Sequence, residues 1–105
     1  MLAQISITPV GTGEETKELL AKALKIIDAS GVDYQFTSMG TILEGEWDEV
    51  LALVKKCHDE IKNFADRVVT NIVIDDRKNL SGRLKGNALE VEYAIGGSLK
   101  TASLT

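Results

Sequence analysis

The order in which two hydrophobic periods follow one another limits this chain more than any single motif does. Residues 2–10, LAQISITPV, alternate, with Ala3, Ile5 and Ile7 on one face and Gln4, Ser6 and Thr8 on the other. That is the pattern of a half-buried strand, and Pro9, which has no N–H to donate, is expected to end its pairing. Residues 11–31 switch to a helical period, with Leu19, Leu20, Ala23, Leu24 and Ile27 in one stripe. Thr12 and Glu15 have capping-box spacing at its start, and Gly31 stands where a left-handed residue closes a helix. VDYQFTSM and GTILEGE then read as two strands around a turn at Ser38–Gly40. WDEVLALVKKCHDEIKNFA returns to the helical period, with Trp47, Val50, Leu51, Val54, His58, Ile61 and Ala65 on one face. RVVTNIVIDD, rich in Val and Ile, is a fourth strand.

The order β-α-β-β-α-β is that of the ferredoxin-like α+β arrangement, an antiparallel sheet with two helices on one face. Beyond Arg77 the pattern weakens. Leu80, Leu84, Ala88, Val91 and Ile95 are spaced for a third helix, although Gly82 and Gly86 each cost about 1 kcal/mol relative to alanine in a helix interior. A marginal helix with an apolar stripe suits packing against another subunit. A single domain is expected over residues 1–95, with residues 96–105 a flexible tail.

Two helices cover one face of such a sheet, so its other face meets solvent, a ligand or another subunit. Gln4, Ser6 and Thr8 belong to that outer face. Gln35 and Thr37 join them if Tyr34 and Phe36 point at the helices. In the fourth strand either Val69, Asn71 and Val73 or the alternate set Val68, Thr70, Ile72 and Ile74 can be the inner one. In the third strand the choice between Ile42 with Glu44 and Thr41 with Leu43 stays open. A face mixing small neutral polar groups with a few apolar ones suits a heterocycle-sized ligand or a hydrogen-bonded subunit interface, and the interface is the commoner use.

Charge and composition narrow the function classes. The 105 residues carry a net charge of −4, with Lys and Arg scattered, so the basic patch that nucleic acid requires is not expected. No run approaches the ~18 apolar residues of a membrane span, and a cytoplasmic protein is expected. The one cysteine, Cys57, allows no intramolecular disulfide and reads as buried filler. His58, the one histidine, sits on the apolar stripe and reads as a core residue with a satisfied hydrogen bond. It has no partner at metal-ligand spacing. Asp75 and Asp76 point to opposite faces of a strand and read as a solvated strand end. Glu46 is placed to open the second helix at its positive dipole end. GTGEE lacks the Gly-Lys-Ser/Thr of a phosphate loop. No nucleophile–base pair, acid–base dyad or cofactor fingerprint emerges, so enzyme is the weaker class.

ITPVGTG, SMGTILEGEWDEV, the run His58-Asp59-Glu60 and RVVTNIVIDDR, in this order and spacing, resemble the small thiamine-binding, YkoF-like family. The likeness runs from about Leu2 to Arg77, and more loosely into the third helix. It implies a ferredoxin-like protomer, a homo-oligomer built as a dimer of dimers, and a non-enzymatic protein without a cofactor. It also implies that thiamine or its hydroxymethylpyrimidine moiety binds on the sheet close to a subunit interface. The pocket positions it implies are Thr8 and Pro9, the hairpin residues Thr37, Ser38, Met39, Gly40 and Thr41, and Asn71. Met39 or Tyr34 would then offer a soft or aromatic surface to the ring, and Glu44 a carboxylate to the thiazolium. Two other readings stand beside this one. The first is an assembly or regulatory module whose sheet face serves only to oligomerise. The second is an enzyme in which two such sheets enclose a chamber.

Overall fold

The computed structural model describes residues 1–78 and 81–99. The elements are β1 (Leu2–Val10), a 3-10 turn (Gly13–Glu15), α1 (Thr16–Ala29), β2 (Asp33–Thr37), β3 (Gly40–Glu44), α2 (Trp47–Lys62), β4 (Arg67–Asp75) and α3 (Arg83–Ile95). The sheet order is β2-β3-β1-β4 with every neighbouring pair antiparallel, the ferredoxin-like topology. Leu80 of the expected third stripe, and residues 100–105 of the expected tail, lie outside the described residues.

The registers decide both open strand assignments. Ala3 pairs Leu43, which pairs Tyr34, while Ile5 pairs Thr41, which pairs Phe36. These residues therefore share the helix-covered face with Ile7, and on β4 that face holds Val68, Thr70, Ile72 and Ile74. Ala3, Ile5, Ile7 and Leu43 pack with Leu19, Ala23 and Ile27 of α1 and Val50, Leu53, Val54, Cys57 and Ile61 of α2 into one core. The outer face carries Gln4, Ser6, Thr8, Gln35, Ile42, Glu44, Val69, Asn71 and Val73.

Several local expectations are corrected. Pairing does not stop at Pro9: β1 continues beside β4 as far as Val10 opposite Arg67. The Ile5 carbonyl points toward β3, since a Cβ on Gly40 would lie 2.8 Å from it. Main-chain groups two residues apart point the same way, so the Pro9 nitrogen also faces the β3 side. The β3 ladder has already ended there at Ile5, and a missing donor breaks no ladder bond. The Thr12–Glu15 capping box does not form. A 3-10 turn precedes α1 instead, and the Thr12 hydroxyl shares a 2.8 Å hydrogen bond with that of Thr16.

On α2 the buried face is rotated from the expected stripe. Leu53 and Cys57 turn inward, whereas Trp47 is 51% exposed and does not anchor the helix in the core. The helix also ends at Lys62, short of Ala65. Cys57 is fully enclosed with its thiol 3.6 Å from the Ala23 carbonyl, and burial pushes that thiol up to about 11. His58 is half-buried, and its Nδ1 shares a 2.6 Å hydrogen bond with the Thr70 hydroxyl across to β4.

The third helix crosses the outer face at the β2–β3 side. Its Gly82 adopts φ +70 just before the first turn. Glu44, reaching from β3, accepts hydrogen bonds from the backbone N–H groups of Arg83 at 2.7 Å and Leu84 at 3.5 Å. This carboxylate meets two of the donors that a helix start leaves unpaired. Gly86 gives room to the Arg83 side chain, which a Cβ there would meet, and Arg83 Nη1 donates to Glu90 at 2.8 Å. No residue of α3 is buried, and Leu89, Val91, Tyr93 and Ile95 are all exposed.

Candidate functional site

The site begins with a mismatch of strand length. β1 has nine residues and β3 has five, and the β1–β3 register ends at Ile5 opposite Thr41. From there the β2–β3 hairpin turns back through Ser38 and Met39, with Thr37 opposite Gly40. The Thr37 hydroxyl locks this two-residue turn by donating to the Gly40 carbonyl at 2.7 Å and accepting from the Met39 N–H at 3.2 Å. Gly40 is required twice over. Its φ of +148 disfavours a side chain, and a Cβ would also press on the Ile5 carbonyl.

The shortened β3 leaves a notch beside the far half of β1, and α1 forms its floor. The result is a cleft of about 210 Å³ on the helix side of the sheet, at the hairpin end. Ile5, Ile7, Leu20, Leu24, Ile27 and Phe36 make most of its wall, Thr41 brings a hydroxyl from the inner face, and Ser6, Thr8, Thr37 and Ser38 complete the lining. Every lining side chain among the described residues is neutral, so they offer the cleft hydrogen bonding and apolar contact but no general acid, general base or fixed charge. At its lip Phe36 is 53% and Met39 82% exposed, two soft surfaces beside the opening. The β1–β3 register ends before Ile7, and among the described residues no turn or loop hydrogen bond reaches its N–H or C=O, which alternation directs into the notch.

The residues singled out in the sequence divide by position. Thr8, Thr37, Ser38, Met39, Gly40 and Thr41 come together at the cleft, and Pro9 follows directly on β1. Thr41 is only 6% exposed and belongs to the helix-covered face, whereas alternation turns the Thr8 and Thr37 side chains to the outer side, so these two reach the cleft only at its rim. Three others lie elsewhere. The Tyr34 hydroxyl donates to Asp28 at 2.6 Å, tying β2 to the end of α1, and this bond raises the phenol above its usual range. Glu44 caps α3, and Asn71 sits opposite Ser6 on the outer face. The apolar lining was not singled out. Leu20 and Leu24 read as core from their spacing, but they lie to the side of the buried line Leu19–Ala23–Ile27, facing the cleft. Among the described residues, no group of three or more His, Cys, Asp or Glu could hold a metal ion. None of the described helices is long and apolar enough to cross a membrane.

Fold and site together define a ferredoxin-like protein with a neutral, largely apolar cleft of small-molecule size. The sequence matches the family model described as "Thiamine-binding protein" over residues 3–92, and the chain belongs to that family. Among its relatives, the UPF0045 protein MJ1052 of Methanocaldococcus jannaschii is 33% identical over 99 residues, 94% of each chain. The UPF0045 protein YqgV of Bacillus subtilis is 36% identical over 86 residues, 74% of this chain and 81% of its own. The crystal structure of the M. jannaschii protein superposes with a TM-score of 0.76, covering 90% of this chain and 94% of that one. A Thermotoga maritima protein put forward as a thiamine biosynthesis/salvage protein superposes with a TM-score of 0.72 at 24% identity. It covers 82% of this chain and 94% of its own and shares the fold.

Proposed function

We propose that this protein binds thiamine or its hydroxymethylpyrimidine moiety in the cleft between α1 and the β2–β3 hairpin, without catalysing a reaction. The observation that carries the reading is membership of the thiamine-binding family together with a cleft whose lining fits the pyrimidine half. The Ser38 and Thr41 hydroxyls can serve the polar edge of an aminopyrimidine, and Ile5, Leu20 and Leu24 its faces. Small-molecule sites range over roughly 300–1,000 Å³, so 210 Å³ favours the pyrimidine fragment, with any further part of the ligand lying outward. A thiazolium placed there meets Phe36 and Met39 in place of a carboxylate, and an aromatic face attracts a cation. The neutral lining supports a carrier or salvage-binding role over catalysis. We place this single-domain protein, residues 1–95, in the cytoplasm as a homo-oligomer, a dimer of dimers. The exposed apolar positions of α3 and of β4 support that assembly.

Those same positions favour one other reading, an oligomeric regulatory module that uses its outer face only for assembly. Thermal unfolding with thiamine, thiamine diphosphate and hydroxymethylpyrimidine separates the two. A ligand at 100 times its Kd adds about 2.7 kcal/mol of stability. A saturable rise in midpoint with the pyrimidine supports the binding reading, and no shift at millimolar concentrations of all three overturns it.

A further inference from the structure

We propose that the main chain of Ile7 is the recognition edge of the cleft, pairing in-plane with a ring that carries an acceptor nitrogen beside an exocyclic amine. This rests on the reading that the cleft takes an aminopyrimidine. It adds which groups read the ring, and they belong to no side chain.

The geometry follows from strand alternation. The Ile5 carbonyl faces β3, so the main-chain groups of Ile7 and Pro9 face the same side. Beyond Ile5 that side has no ladder partner among the described residues, while β4 pairs β1 on its other edge as far as Val10. The free edge therefore offers the N–H and C=O of Ile7 and the C=O of Pro9. Backbone polar groups removed from water are nearly always paired in folded proteins, and these sit in an apolar cleft with the Ile7 side chain buried.

An added β-strand is a poor occupant of this edge. Strand addition needs donors on successive outward positions, and Pro9 removes the second of them. The hairpin tip at Ser38 and Met39 also bounds the notch at its other end. One donor next to one acceptor on a single residue matches a flat ring that presents the complementary pair. Leu20 and Leu24 of α1 lie along the cleft wall to contact its face. The second hydrogen bond explains how a site built of hydroxyls can prefer an aminopyrimidine over other flat rings. Hydroxyls rotate to suit any partner, and a main-chain pair does not.

Two measurements on the intact protein test this with 4-amino-5-hydroxymethyl-2-methylpyrimidine as probe. In the first, amide exchange at Ile7 is followed by NMR with the pyrimidine and, separately, with the thiazole half of thiamine. The pyrimidine is expected to slow Ile7 exchange at least about tenfold, the thiazole half not at all. In the second, the Ile7 amide is replaced by an ester through the α-hydroxy analogue of isoleucine, which keeps the side chain and its packing. Binding is expected to weaken by roughly tenfold or more in the ester protein. An ester protein that fails to fold leaves the decision to the exchange measurement. An Ile7 amide already protected without ligand overturns the inference. So does a bound pyrimidine that leaves Ile7 exchange unchanged, although the proposed function then stands. A pyrimidine that binds nowhere overturns both.

Discussion

One sheet presents two faces built by the same alternation, and only one of them is completed by the chain itself. The inner face, Ala3, Ile5, Ile7 and Leu43, is closed by two helices into a continuous core. The outer face receives one helix, held at its start by Glu44, which covers the β2–β3 half and leaves Ser6, Asn71, Val69 and Val73 on the other half. The difference separates two uses of apolar surface. Inside, it closes the core, and the shortness of β3 beside β1 leaves the cleft over α1. Outside, Val73 at 65% exposure and the free positions of α3 offer surface suited to a second copy.

The largest expected effect comes from emptying the inner face. Leu43→Ala, at a fully enclosed position, should cost about 2–5 kcal/mol in urea unfolding. Alkaline pH strains the same core. The Cys57 thiol, raised to about 11 by burial from the usual 9.0, stays protonated in the fold while the unfolded chain ionises. Stability should therefore fall as pH rises from about 9 towards 11, and Cys57→Ser should flatten that fall. The native thiol should also resist thiol reagents at pH 8. Gly40→Ala comes next, at about 1–3 kcal/mol for the forced φ. It should weaken pyrimidine binding as well, since pressure on the Ile5 carbonyl reshapes the notch.

On the outer face the effects shrink. Glu44→Ala removes a cap and should cost about 1 kcal/mol, seen as faster amide exchange at Arg83 and Leu84 with the core amides unchanged. Val73→Ser and Tyr93→Ser should change protomer stability by no more than about 0.5 kcal/mol. If these positions are covered by a second copy, the same variants reduce the mass measured by light scattering. A mass unchanged by both would detach the outer face from assembly.

The sequence reading reached the fold because period changes are local: each strand and helix announces itself within its own residues. It stopped where a choice depended on another element. GTILE has an apolar residue in either alternate set, so the direction of Thr41 became clear only from its pairing with Ile5. On α2, Leu51 and Leu53 compete for the buried face, and the packing against α1 selects Leu53, turning Trp47 outward. The hairpin residues of the candidate site were singled out from their turn chemistry and the family likeness. The side of the sheet on which they meet was not, because the cleft arises from a difference in strand length that only the register reveals. Glu44, read as a counter-charge for a ligand, is engaged by a helix whose docking position no local pattern encodes.

The central claim is that the ligand face is the helix side of the sheet. Calorimetric titration with hydroxymethylpyrimidine would compare the unaltered protein with Leu24→Trp, which fills the cleft, and Asn71→Trp, which blocks the outer face. The expected result is saturable binding in the unaltered protein and in Asn71→Trp, and none in Leu24→Trp. Binding retained in Leu24→Trp and lost in Asn71→Trp would place the ligand on the outer face and contradict this account.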